Sequence, residues 1–172
     1  RELKEFGPYI IDFRLEECYV RMFLYTIEEA KEKEILLSYL KIRNDLLNLR
    51  NIYRSIISKK DLGEFFLQPS HVQREWFKVE SVELFLEKMR FVKYDLRGVA
   101  ELEDDLLFEI ALGRNLERVV EKFLNVSPFD TGLLLYFLVM KRNEINRIKV
   151  ITRFVKEGLD KGMLKWLLGL GE

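Results

Sequence analysis

Residues 36–57 read "LLSYLKIRNDLLNLRNIYRSII", with no proline or glycine to interrupt them. Tyr39, Ile42, Leu46, Leu49, Tyr53 and Ile56 recur at spacings of 3-4-3-4-3, the period of one face of a helix. That spacing suits a near-parallel or antiparallel helix neighbour. The helix is expected to run to about Lys59, with Gly63 as the C-terminal signal behind it. Its polar side is not a mixed acid-and-base surface. Asp45 is the sole acid there, set among Arg43, Asn44, Asn48, Arg50, Asn51 and Arg54. Three prolines and nine glycines in 172 residues leave little room for sheet turns or linkers, and 48% hydrophobic residues suffice for a substantial core. The chain therefore reads as all-α, in one domain or two small ones.

Other segments fit the same plan. A first helix over residues 9–32, with Pro8 at its head, has a stripe of Leu15, Tyr19, Met22, Phe23 and Ile27. "ESVELFLEKM" is amphipathic. Residues 99–124 read as one helix or as a pair bent at Gly113, and residues 130–157 as another helix opened by Pro128. "DKGMLKWLLGL" is a short terminal helix whose Trp166, Leu164, Leu167 and Leu168 form an apolar face. "EFFLQPSHVQREWFKVES" is the least regular stretch. There Ser70 is expected to cap a short helix, and the pairs Phe65–Phe66 and Trp76–Phe77 are expected to plug the core beneath a loop.

The long helix is written twice. At an offset of 99, Arg43, Asn44, Asp45 and Leu46 fall on Arg142, Asn143, Glu144 and Ile145. Leu49, Arg50 and Arg54 fall on Ile148, Lys149 and Arg153. The polar pattern recurs along with the apolar one. "LEECYVRMF" before the first copy also aligns with "LEDDLLFEI" before the second. The chain therefore divides into helical repeats over residues 1–94 and 95–172, each with long antiparallel helices and shorter connecting ones. Arg50 with Arg54, and Lys149 with Arg153, place like charges one turn apart, which costs roughly 0.2–0.5 kcal/mol per pair in an isolated helix. Carboxylate partners are expected at Glu16 and Glu17 in the first repeat, and at Glu103, Asp104 and Asp105 in the second. Three readings stay open for these faces: solvated charge, an internal network that fixes helix register, or a surface for another protein. The candidates are Asp45, Asn48, Arg50, Arg54, Glu144, Asn146, Lys149 and Arg153.

Much chemistry is excluded. Lys and Arg balance Asp and Glu at 29 each, which gives no basic excess for non-specific nucleic-acid binding. There is no phosphate-binding G-x-x-x-x-G-K-[ST] loop and no G-x-G-x-x-G. One histidine, His71, and one cysteine, Cys18, exclude a His/Cys zinc site, and a di-iron bundle would need Glu-x-x-His motifs that are missing. No catalytic residue, metal or cofactor is expected. Cys18, among apolar neighbours, reads as a buried structural thiol in a reducing compartment. The longest apolar run, residues 132–140, is too short to span a bilayer, which takes about 20 residues. The chain begins at Arg1, as a piece of something longer would.

"RNDLLNLRNIYR" and "KRNEINRIKVITR" resemble the paired signature helices of the C subunit of archaeal and bacterial A/V-type rotary ATPases, the counterpart of the d subunit of eukaryotic V-ATPases. "LEECYVRMF" before the first and "VKEGLDKGML" after the second agree with it. The resemblance carries Asp45, Asn48 and Arg50 onto the first signature and Glu144, Ile145 and Asn146 onto the second. It implies an all-helical subunit, part of a funnel-like array of three such units, of which two are found here. It also implies a non-catalytic role on the cytoplasmic face of the membrane, as a socket between the central shaft and the rotor ring that couples ATP turnover to proton or sodium transport. Shaft and ring subunits would be its partners, and self-association would follow if a unit is missing. The alternative is a stand-alone helical adaptor that binds another protein through its Arg-rich helix faces.

Overall fold

The computed structural model describes residues 9–92, 94, 105–126 and 130–157. Among them there is no strand. Five α-helices carry the fold: α1 (Tyr9–Glu28), α2 (Lys33–Ser58), α3 (Val82–Met89), α4 (Asp105–Val126) and α5 (Thr131–Glu157). Two 3-10 turns, Gly63–Phe65 and Arg74–Lys78, lie between α2 and α3. The chain forms two compact units, Arg1–Val79 and Glu80–Glu172, so α3 belongs with the second. The terminal "DKGMLKWLLGL" helix and the carboxylates at Glu103 and Asp104 lie outside the described residues.

In the first unit α2 is the axis. Leu40, Leu49, Ile52 and Tyr53 are fully buried, and each such side chain contributes roughly 1.5–3 kcal/mol by leaving water. α1 lies along one side of it, turning Ile10, Phe13, Val20 and Ile27 inward. Phe23 meets Tyr39 with ring centroids 5.8 Å apart. The expected stripe on α1 is therefore corrected. Leu15 and Met22 are exposed, and so is Cys18, which is no buried thiol. The reason is that α1 is apolar on two opposite sides. Ile11, Leu15, Cys18, Met22 and Tyr25 make a second seam, half a turn from the first. Glu17 bridges Arg14 and Arg21 on this helix, and those two guanidiniums hold its carboxyl below the usual range.

α2 stops one residue before Lys59, whose φ of 54° is left-handed and whose N–H returns to Ser55 and Ile56 carbonyls. Lys59, not Gly63, thus occupies the position where a glycine is usual. Residues 59–79 then form a strap along α2 that buries Leu62, Phe65, Leu67, Val72, Phe77 and Val79. Phe65 meets Phe13 of α1 with the rings tilted at 41° and centroids 4.8 Å apart, and Phe66 meets Phe77 edge-on at 6.2 Å. One member of each aromatic pair, Phe65 and Phe77, is thus a core residue, while Phe66 and Trp76 are half-buried.

In the second unit Ser81 caps α3 by accepting from the Leu84 N–H at 3.3 Å. The short connection after Val126 returns α5 along α4. Phe108, Ala111, Leu112, Leu116 and Val120 of α4 are buried, as are Leu135 and Val139 of α5 and Phe85 and Met89 of α3. Phe85 and Phe108 tilt together with centroids 6.2 Å apart. Gly113 does not break α4, which runs through it.

Candidate interaction surface

The amide-rich side of α2 faces inward. Asn44, Asn48 and Asn51 stand one turn apart in a row. Their Nδ2 groups donate to the carbonyls of Pro69 (3.0 Å), Leu67 (2.9 Å) and Phe65 (3.1 Å), in reverse order. The strap therefore runs antiparallel to α2 and presents every second carbonyl to a successive turn. The match works because two extended residues advance about 6.6 Å and one helical turn about 5.4 Å. Asn48 also accepts from the Leu67 N–H at 2.8 Å, closing a two-way grip on one peptide unit.

Asp45 completes the clasp. Its Oδ1 accepts from the Ser70 hydroxyl and the His71 N–H, both at 2.6 Å, and from the Val72 N–H at 3.2 Å. His71 Nδ1 lies 2.8 Å from its Oδ2, with the ring itself exposed. Ser70 therefore caps no helix: the turn at Arg74–Lys78 has Gln73 in that position, without a side-chain bond. A carboxylate this buried needs several donors, and the strap supplies them from consecutive residues. The signal for the clasp was the amide row beside an irregular segment. Which backbone groups it meets is set by tertiary packing.

The basic side of α2 faces α1. Arg43 is paired with Glu16 and lies over the Tyr19 ring, 4.1 Å from its centroid. Asp12 and Glu16 of α1 line one small cleft with Arg50 and Arg54 of α2, both half-buried. Glu16 thus meets the basic side of α2 at Arg43, outside the Arg50–Arg54 pair for which it was expected, whereas Glu17 bonds to Arg14 and Arg21 of its own helix.

The second unit uses its signature differently. Asn143, aligned with Asn44, is buried and donates to the Gly113 carbonyl and to Glu117 Oε2, each at 3.1 Å. Gly113 permits this approach, since a Cβ there would stand 2.8 Å from Asn143 Oδ1. Glu117 also faces Arg147 at 3.6 Å. Burial and the nearby Arg147 and Arg118 charges push the Arg114 guanidinium down, while Glu117 acts in the opposite direction. Glu117 is a carboxylate partner that sequence reasoning missed. Glu144 is exposed and pairs with Lys141 at 2.8 Å. Asn146 is half-buried and Lys149 exposed. The side chains of Asp105 and Arg153 lie outside the described set.

The signature residues thus do not converge on one site. Asp45 and Asn48 are enclosed in the first unit, while Glu144 and Lys149 stand on the surface of the second. Among the described residues no group of acids, histidine and cysteine could hold a metal ion, and no helix is long and apolar enough to cross a membrane.

Residues 2–167 match the family described as ATP synthase (C/AC39) subunit. The C subunit of the A-type ATP synthase of Methanothermobacter thermautotrophicus is 27% identical over 175 residues, covering 92% of this chain and 46% of that protein. Its namesake in Methanobrevibacter smithii is 23% identical over 163 residues, covering 86% and 42%. That of Thermococcus kodakarensis is 23% identical over 146 residues, covering 80% and 40%. The chain spans less than half the length of these curated relatives. No solved structure matches it at a significant level. The match runs through both units and both copies of the asparagine-bearing helix, and the chain belongs to the ATP synthase (C/AC39) subunit family.

Proposed function

We propose that the chain acts as a non-catalytic central-stalk subunit of an A/V-type ATPase or ATP synthase. In this reading it is a socket between the rotor shaft and the membrane ring, on the cytoplasmic face, and it couples ATP turnover to proton or sodium transport. The family match over residues 2–167 carries the reading. The clasped α2 supports it: a part that transmits torque needs helices held in register, and the strap and α1 fix α2 on two sides. We read residues 1–94 and 95–172 as two copies of one helical unit within a funnel-like array. Asp45, Asn48, Arg50 and Arg54 would keep the first copy rigid. Glu144, Asn146, Lys149 and Arg153 would be the second copy's candidates for contact with other subunits.

ATP-driven ion uptake into membrane vesicles tests this. Vesicles from cells lacking the chain should hydrolyse ATP with uptake lost, and adding back the purified chain should restore it. Uptake that is unchanged without the chain would overturn the reading.

A further inference from the structure

In the alignment of α2 with α5, the row Arg43, Leu46 and Arg50 falls on Arg142, Ile145 and Lys149. The two rows have opposite surroundings. Leu46 is 3% exposed and Ile145 is 55% exposed. In the first unit this side is covered by α1, an amphipathic helix whose Asp12 and Glu16, one turn apart, meet the basic row beside the inward-facing Phe13.

On α5 the same side is open. Leu134, Leu138, Ile145 and Ile148 are all exposed, with Arg142, Lys149 and Lys156 exposed beside them. From Leu134 to Val155 this face is about 30 Å long at 1.5 Å per residue, the length of a helix the size of α1. Exposed apolar residues gathered along one helix side mark an interaction surface, and the charges interleaved with them are basic. Among the described side chains of this face the exposed acid is Glu144, which already pairs with Lys141.

We propose that the outer face of α5 receives an amphipathic helix of a partner polypeptide, one that carries carboxylates one turn apart beside an apolar stripe. The chain supplies its own precedent, since α1 has that composition and covers the aligned face of α2. The inference does not depend on the rotary-ATPase reading.

A labelled peptide of residues 9–28 titrated into the whole chain is the test. Saturable binding is expected. It should weaken about tenfold, roughly 1.4 kcal/mol, when Ile145→Glu and Lys149→Glu are combined in the protein, and again when Asp12→Lys and Glu16→Lys are combined in the peptide. Both protein positions are exposed, so an unchanged melting temperature is expected for that variant and can be checked by circular dichroism. The peptide could instead displace α1, and binding insensitive to the α5 variant would reveal this and overturn the proposal. So would no saturable binding, or binding indifferent to the peptide's charge. Sedimentation of the chain with phosphatidylglycerol vesicles but not phosphatidylcholine vesicles, without peptide binding, would overturn it in favour of a lipid surface.

Discussion

Asn48 holds the Leu67 peptide from both sides, giving a hydrogen to its carbonyl and taking one from its N–H. Both groups are buried, so their loss is felt in full. Asn48→Ala is expected to cost about 2–3 kcal/mol in urea unfolding. Asn48→Asp keeps the acceptor but turns an oxygen toward the Leu67 carbonyl in a buried site, and is expected to cost more than the alanine change. A loss within about 0.5 kcal/mol for the alanine change, the size of an ordinary surface substitution, would contradict the two-way bond. Gly113→Ala probes the second unit in the same way. Its Cβ would meet Asn143 Oδ1 at 2.8 Å, and Asn143 is tethered by two bonds that resist its retreat. Overpacking of this kind costs about 1–3 kcal/mol, against a gain of at most about 1 kcal/mol in helix propensity. A net loss of stability by thermal melting is expected, and a gain would contradict the close approach. Lys59→Gly, at φ 54°, is expected to raise the melting temperature, because a side chain in the left-handed region costs roughly 1–2 kcal/mol, more than the backbone entropy that glycine adds.

At the scale of elements, the contrast between α2 and α5 is the sharpest feature. Leu46→Ala removes a buried side chain and is expected to cost about 2–5 kcal/mol. The aligned Ile145→Ala removes an exposed one and should lie within about 0.5 kcal/mol of the parent. Chemical denaturation of the two variants side by side measures this, and similar losses would show that α5 is covered. The same contrast explains what the residues disclosed. The apolar stripe of α2 was legible because Tyr39, Leu46, Leu49 and Tyr53 are all buried at the spacing they announce. The stripe expected on α1 faces partly outward because the inward seam through Ile10, Phe13, Val20 and Ile27 and the outward seam through Leu15, Cys18 and Met22 share one period. Periodicity names a face without saying which way it points. The amide row of α2 was visible, but nothing local says that Asn44, Asn48 and Asn51 reach carbonyls 25, 19 and 14 residues on. Such contacts depend on the path of an irregular segment, and side-chain type does not encode that path.

For the whole molecule, sequence and structure agree on an all-helical protein with no strand among its described residues, and the family follows from a match over nearly its full length. Two compact units, each built around an asparagine-bearing long helix, suit a part that must be stiff within and adhesive without. The first unit closes its polar and basic faces on itself, through the strap and α1. The second leaves a basic, apolar face of α5 uncovered. On the proposed reading, that open face is where a partner would dock. The most direct measurement is affinity purification of the tagged chain from gently solubilised membranes of its own cells, followed by mass spectrometry. The short apolar ring protein and the shaft proteins of a rotary ATPase are expected to co-purify at comparable abundance. Recovery of the chain with neither would contradict the proposed function.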